Sequence, residues 1–491
     1  MTASVQHTSG AFLQAPLGRW PGRAWGTPAP AYQLIDIAPE QHPFLRKLFD
    51  AFGFRVLRVW VDAAMAPEGF ERQACDGLVT ALGECDGRTI AVAWSDFRVK
   101  GSSYGRLNSR RFTAFLRHLR ELPEPIPLVY VVSSAGVSLM EGRSAFSDAF
   151  ELWPELLRYA DERLLLTCAA GKCLGLAPLL FGLGQYRVAV ARSTHINLTG
   201  PEVIRLFFGT GVDFETRAAA ERCLECHDLV HEVVPSLDDA LTLCRGLISR
   251  VPGWPPELGV RTGALLLRFL DGPPREVVPG WCPRVRLFVG TRGGKPLGVF
   301  VNPLERSNNM ITVRTLEKYA AGLDLFRALR LPIVSILDSP GIDPRCDQSD
   351  ANNIRRILWV GEKIIRYPHG AMSVVAGRCF GGATALAIPK VFGGTRTVAL
   401  RGAQIGVMHE RIVEQVLGGS PRLLAEWRDA AAAQDDGLGD LLAQGALDAV
   451  VDPDDLPGEI DRFLGYATAR PHIVHAPRRR QSRPYRAERV R

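Results

Sequence analysis

The chain has 491 residues, 46% hydrophobic and 23% charged, which excludes collagen, coiled coil and disorder along its whole length. Its net charge of +7 sits in one place: residues 470–491 hold eight arginines and one glutamate, and the other 469 residues balance at 51 basic and 51 acidic. A neutral body with a basic tail makes nucleic-acid binding a poor primary function.

Residues 1–35 are rich in Pro, Gly and Ala (WPGRAWGTPAPAY) and read as an unstructured N-terminal segment. The opening MTASVQHTSG lacks the basic-then-apolar order of a signal peptide, and the ten scattered cysteines suit reduced thiols, so a cytoplasmic protein is expected. Strand-like and helical runs then alternate. TIAVAWSDF (89–97) is followed by a helical 109–122, PLVYVVSS (127–134), a helix over 145–162, RLLLTCA (163–169) and a helix from about 174. A break falls at VPGWPPELG (251–259). The pattern returns with KPLGVFVNP (295–303), a helix over 312–330, LPIVSILDSPG (331–341), a helix over 351–367, GAMSVVAG (370–377) and a helix from about Gly382. Such alternation predicts parallel strands joined by helical crossovers. The apolar stretch 164–184 reads as a buried strand plus a buried helix, because Lys172, Pro178 and its glycines argue against a membrane span.

The two halves overlay. Ser133-Ser134-Ala135-Gly136 and Asp338-Ser339-Pro340-Gly341 each follow a strand, 205 residues apart. Ala170-Gly171-Lys172-Cys173 and Phe380-Gly381-Gly382-Ala383 follow the next strands, 210 apart. An internal duplication is expected, with related α/β domains at 40–250 and 260–468 and a disordered basic tail at 470–491 that is dispensable for catalysis.

Each glycine turn precedes a helix start, where backbone N–H groups lack intrahelical partners and the macrodipole adds positive charge. Glycine allows close approach, so such a turn can receive an oxyanion. The candidate donors are Gly171 and Lys172 in the first half, and Gly382 and Ala383 in the second. Simple helix–strand packing is the competing reading of either turn. Other chemistry is sparse. Phosphate-binding loops and HExxH are absent from the sequence. The CxxCH spelling at Cys223–His227 lies in a helical pattern without an export signal or a second CxxC, so no metal or haem site is expected. Asp338 and Glu141 follow strand ends and are read as bases or as helix caps.

The order of these segments resembles the carboxyltransferase (β) subunit of biotin-dependent acyl-CoA carboxylases, the propionyl-CoA carboxylase β type. The resemblance rests on CDGLVTALGECDGRTIAVAWSDFRVKGSSYG (75–105), VYVVSSAGVSLMEG (129–142), TCAAGKCLGLAP (167–178) and THINLTGPEVI (194–204) in the first half. In the second half PGWCPRVRLFVGTRGGKPLGVFVNP (279–303), TLEKYAAGLDLFRALRLPIVSILDSPG (315–341), GRCFGGATAL (377–386) and LLAQGALDAVVDPDD (441–455) carry it.

It implies two duplicated crotonase-like domains of ββα units, an acyl thioester side in the first and a biotin side in the second. It further implies a homo-oligomer whose site forms where the first domain of one subunit meets the second domain of another. By resemblance, Gly171 and Lys172 hold the thioester enolate, and Gly382 and Ala383 hold the ureido oxygen of biotin. Gly136, Ala170 and Gly381 line the substrate, and Ala385 stands where the family tunes acyl size. No MKM-type biotinylation segment is present, so biotin is expected on a separate carrier, with a biotin carboxylase or biotin-carrier subunit as partner and acyl-CoA or an acyl-carrier protein as substrate. Two departures stand out. The family's DSGGAR is here Ser133-Ser134-Ala135-Gly136-Val137-Ser138, and its first glycine pair is Gly171-Lys172. They leave open a biotin-independent decarboxylase of malonyl-type thioesters, or a non-catalytic subunit beside an active paralogue.

Overall fold

A computed structural model describes residues 32–37, 45–62, 76–209, 213–226, 228–249, 258–343, 350–386, 396–433 and 438–469. The expected basic tail lies outside them. Two mixed sheets hold the chain. The first runs β1 (Tyr32–Ile37), β2 (Leu57–Asp62), β3 (Leu78–Cys85), β4 (Arg88–Ser95), β5 (Leu128–Ser134), β6 (Leu165–Leu174), β7 (Tyr186–Val190), with β8 (His195–Asn197) beside β6 and β9 (Glu232–Val234) beside β7. The second runs β10 (Arg275–Val277), β11 (Arg286–Arg292), β12 (Lys295–Val301), β13 (Ile333–Ser339), β14 (Ala371–Phe380), β15 (Arg396–Leu400), with β16 (Gln404–Gly406) beside β14 and β17 (Ala449–Val451) beside β15.

Each sheet opens antiparallel and turns parallel at a crossover helix. The hairpin β3–β4 turns at Asp86-Gly87 (φ +50° and +71°), and β11–β12 turns at Gly293-Gly294 (φ +56° and +72°). Both are two-residue turns with positive φ throughout, the geometry that matches strand twist. Helices Arg106–Glu121 and Val313–Ala328 then carry the chain over to β5 and β13, and Arg143–Glu162 and Asp350–Ile365 carry it to β6 and β14. The pairing of β5 with β6 slips between Val132 and Ser134, and that of β13 with β14 slips between Leu337 and Ser339. This is a duplicated, crotonase-like α/β fold.

Residues of both sheets share one core: Val59, Val92 and Val129 cluster with Leu287, Phe300 and Ile333. Separate clusters fill the outer side of each sheet. The stretch 164–184 is β6 followed by the five-residue helix Ala177–Phe181, and among the described residues no helix is long and apolar enough to cross a membrane. One boundary moves. Residues 32–35, read as part of the unstructured start, lie in β1, because Tyr32–Ile37 pairs antiparallel with Leu57–Asp62.

Candidate active site

The repeat extends to single hydrogen bonds. In the first half Ser134 Oγ donates to Ser102 O (2.7 Å) and accepts from Gly136 N (3.1 Å). In the second, Ser339 Oγ donates to Asn309 O (2.8 Å) and accepts from Gly341 N (3.3 Å). Tyr104 N reaches Gly136 O (2.8 Å) as Ile311 N reaches Gly341 O (2.9 Å). Gly136 and Gly341 have φ of +98° and +121°, where a side chain would be strained.

The second-half turn is built as the sequence predicts. β14 ends at Phe380, Gly381 (φ +52°) turns the chain, and the helix Ala383–Leu386 begins. Gly381 N donates to Gly406 O on β16 (3.0 Å). The next two amides, of Gly382 and Ala383, have no acceptor among the described residues. A Cβ on Gly382 would lie 2.5 Å from Ile342 Cδ1, so glycine is what keeps that amide approachable. Ala385 lies in the same short helix.

The first half differs from expectation. β6 does not stop at Cys168–Ala170. It runs on through Gly171 and Lys172 to Leu174, because Lys172, Cys173 and Leu174 pair with His195, Ile196 and Asn197 of β8. Gly171 and Lys172 therefore sit in a strand and not at a helix start. Gly171 (φ +121°) donates its N–H to Thr194 Oγ1 (3.3 Å). The turn equivalent to Gly381-Gly382-Ala383 is Gly175-Leu176-Ala177, at an offset of 206 residues and not 210. Gly175 (φ +65°) donates to Asn197 O (3.3 Å), matching Gly381, and the amides of Leu176 and Ala177 there have no acceptor among the described residues. Gly136 flanks this turn: a Cβ on it would meet Gly175 Cα and Leu174 O, both at 3.2 Å, and Leu176 N at 3.6 Å. Ala170 is half-buried in β6 against the shared core.

Two side-chain groups escaped the sequence reading. Arg378 donates to Asp338 through Nε (2.8 Å), Nη2 (3.1 Å) and its own backbone N (2.9 Å). Asp338 is thus the partner of a guanidinium and does not cap the next helix. His195 Nε2 lies 2.5 Å from Glu215 Oε2. Nothing local in the sequence marks either, since each joins residues on different elements. Glu141 caps a helix, but the preceding one: its Oε2 accepts from Arg106 N (2.8 Å). Cys379 beside Arg378 is no nucleophile at neutral pH, since burial pushes its thiol up to about 12. Among the described residues no cluster of three potential metal ligands occurs, and Cys223 is buried.

Residues 45–259 match the family described as carboxyl transferase domain. The matched segment spans the first sheet from β2 to β9, with the Gly136 and Gly175 turns inside it. The chain is 24% identical over 396 residues to the propionyl-CoA carboxylase carboxyltransferase subunit of Haloferax mediterranei, covering 74% of this chain and 73% of that one. It is 25% identical over 378 residues to the propionyl-CoA carboxylase beta chain of Saccharopolyspora erythraea, covering 69% and 68%. In fold it is similar to the transcarboxylase 12S subunit, with a TM-score of 0.70, 21% identity and 84% of each chain covered. That structure is a hexamer with methylmalonyl-coenzyme A bound. The likeness spans both sheets, so the half beyond residue 259 shares the fold of the carboxyl transferase domain's relatives.

Proposed function

We propose that this chain is the carboxyltransferase subunit of a biotin-dependent acyl-CoA carboxylase, moving a carboxyl group to the α-carbon of an acyl thioester. The observation that carries this is the repeated turn. Each sheet ends a strand in a positive-φ glycine, ties that glycine to the neighbouring short strand, and leaves the next two amides without an acceptor. Such fixed donors stabilise charge that develops on a carbonyl oxygen. Two of them suit a reaction in which two carbonyl oxygens gain charge in turn.

Carboxybiotin, delivered on a separate carrier, supplies the carboxyl group. The chain's own part is to hold and polarise. Gly382 and Ala383 direct their amides at the ureido oxygen, and the absence of a side chain at Gly382 leaves room for it. The segment from Gly171 to Ala177, flanked by Ala170 and Gly136, holds the thioester oxygen as the enolate forms. Ala385, one residue beyond Thr384, belongs to the acyl-size side of this proposal.

Assembly is part of the proposal. Helix Pro201–Phe208 follows β8 and buries none of its residues, leaving Leu206, Phe207 and Phe208 72–84% exposed. Helix Glu410–Leu417 follows β16 and likewise buries none, leaving Val416 66% exposed. Apolar faces at corresponding places in both halves fit a self-associating chain. The test is a transfer assay. The chain is mixed with a carboxylated biotin carrier and acyl-CoAs of two to five carbons, and carboxylated product is sought by mass spectrometry. Transfer that fails for every acyl-CoA, with the carrier shown to be charged, rejects the proposal.

A further inference from the structure

The duplication leaves one pair of positions unequal. Asp338 and Arg378 form a carboxylate–guanidinium pair in the second half, with the side chains only 11% and 28% exposed. The same positions of the first half hold Ser133 and Lys172. Four observations fix that correspondence. Ser134 pairs with Cys173 as Ser339 pairs with Cys379. Lys172 pairs with His195 on β8 as Arg378 pairs with Gln404 on β16. A Cβ on Gly171 would meet Ser133 Oγ at 2.8 Å, and one on Gly377 would meet Asp338 Oδ1 at 2.7 Å. The strand slips fall at the same place. The first half has therefore kept the cation and lost its carboxylate.

Lys172 is exposed, and its ammonium has no ion pair or hydrogen bond among the described residues. Its neighbour His195 is engaged by Glu215. Strand alternation places Lys172 on the same face of β6 as Leu174. Leu174 packs on Phe214 and Ala218, and there the protein has a cavity of about 220 Å³ lined by Asn197, Ile204, Phe208, Phe214, Arg217 and Ala218. Arg217 too has no ion pair among the described residues. Arg217 lines this cavity, its charge acting on the Asp213 carboxylate, and Lys172 stands on the strand beside it; an apolar cavity next to such cations is suited to an organic anion.

We infer that Lys172 is a specificity-determining residue: it receives a carboxylate borne by the acyl group, so that the first half selects anionic acyl thioesters over neutral ones of the same size. The inference rests on the acyl thioester site proposed above. Malonyl and propionyl groups differ by a carboxylate in place of a methyl group, so they isolate the effect. An ion pair at an exposed cation supports a preference of about fivefold.

The test is calorimetric titration of the full chain with malonyl-CoA and propionyl-CoA, and with the corresponding pantetheine thioesters, which carry no phosphate. Malonyl thioesters are expected to bind about fivefold more tightly in both series. Lys172→Met removes the charge and keeps the apolar stem. Ser133→Asp rebuilds the ion pair of the second half while leaving the lysine in place. Either variant is expected to level malonyl and propionyl binding, any change common to both thioesters being set aside. Equal binding in the unaltered chain, or a preference that survives both variants, overturns the inference and leaves the thioester site standing. A loss in Lys172→Met that is equal for both CoA esters and absent for pantetheine esters assigns Lys172 to the CoA phosphates and also overturns it. Failure of every thioester to bind rejects the thioester site itself.

Discussion

Val278 donates its backbone amide to the hydroxyl of Tyr186 at 3.2 Å, across the seam between the two halves. Tyr186 in turn donates to Glu232. Around this contact the seam collects buried ionisable groups. Burial raises the Glu232 carboxyl, and burial with the charges of Arg187 and Lys318 holds His231 well below its ordinary value. Lys318 donates to the carbonyls of Trp281 and Cys282, and burial brings its ammonium down to about 8.

The Lys318 ammonium gives the first prediction. Its pKa in the fold lies below the ordinary 10.5, so the unfolded chain binds that proton more tightly. The folded state therefore carries the full cost below pH 8, and stability recovers as pH rises from about 8 to 10.5. A drop of this size corresponds to about 3 kcal/mol. Lys318→Met is expected to remove most of that rise. Urea unfolding of both proteins at pH 7 and pH 10 measures it, and identical pH slopes would contradict the assignment.

Much of the fold was legible locally. The strand at 127–134, the helix at 145–162 and the pairs 331–341 and 370–377 follow from apolar periodicity, and each appears within a few residues. The spacing of 205 residues between Ser133 and Asp338 is the offset that the structure shows at β5 and β13, and it becomes 206 at β6 and β14. What failed was the end of β6. Its last residues, Gly171 to Leu174, look like a turn because glycine and lysine disfavour strands. They are extended because β8, more than 20 residues away in sequence, supplies the ladder. Long-range pairing overrides local propensity, and no window on 165–175 contains His195 or Asn197. The Asp338–Arg378 pair was missed for the same reason: it joins residues 40 apart across neighbouring strands.

Glycine at 136 is required twice over, by its φ of +98° and by backbone atoms 3.2 Å from where a Cβ would stand. Gly294 has φ +72° and nothing within 4 Å of that point. Gly136→Ala is expected to cost about 2–3 kcal/mol and Gly294→Ala only about 1 kcal/mol, since the second meets φ strain alone. Thermal unfolding of the pair decides it. Equal losses would show that the Gly136–Gly175 approach carries no constraint.

The exposed face of helix Pro201–Phe208 gives a prediction about assembly. Leu206 and Phe207 are 84% and 79% exposed, so charging them leaves no buried space altered. The double substitution Leu206→Glu and Phe207→Glu is expected to keep the circular-dichroism spectrum and to lower the sedimentation coefficient at micromolar concentration. An unchanged assembly would place the interface elsewhere.

Gly382 is the position where chemistry and packing separate most cleanly. Its φ is not in the left-handed region, so a side chain there meets no backbone strain. A Cβ would press on Ile342 Cδ1 and Cγ1, at 2.5 and 2.7 Å. These are outer atoms of a side chain 37% exposed, which can swing away. Gly382→Val should therefore fold, with a modest loss of stability. The same valine would stand over the amides of Gly382 and Ala383 and keep an oxygen from reaching them. Loss of one such donor costs about 2.7–4 kcal/mol in the barrier, or roughly 10²–10³ in rate. Carboxyl transfer by a folded Gly382→Val protein is expected to fall by that factor, with Gly382→Ala in between. Affinity for an acyl-CoA, which the proposal seats at the other half, should stay the same. A folded Gly382→Val protein that transfers carboxyl groups at the original rate would show that these two amides hold no reacting oxygen.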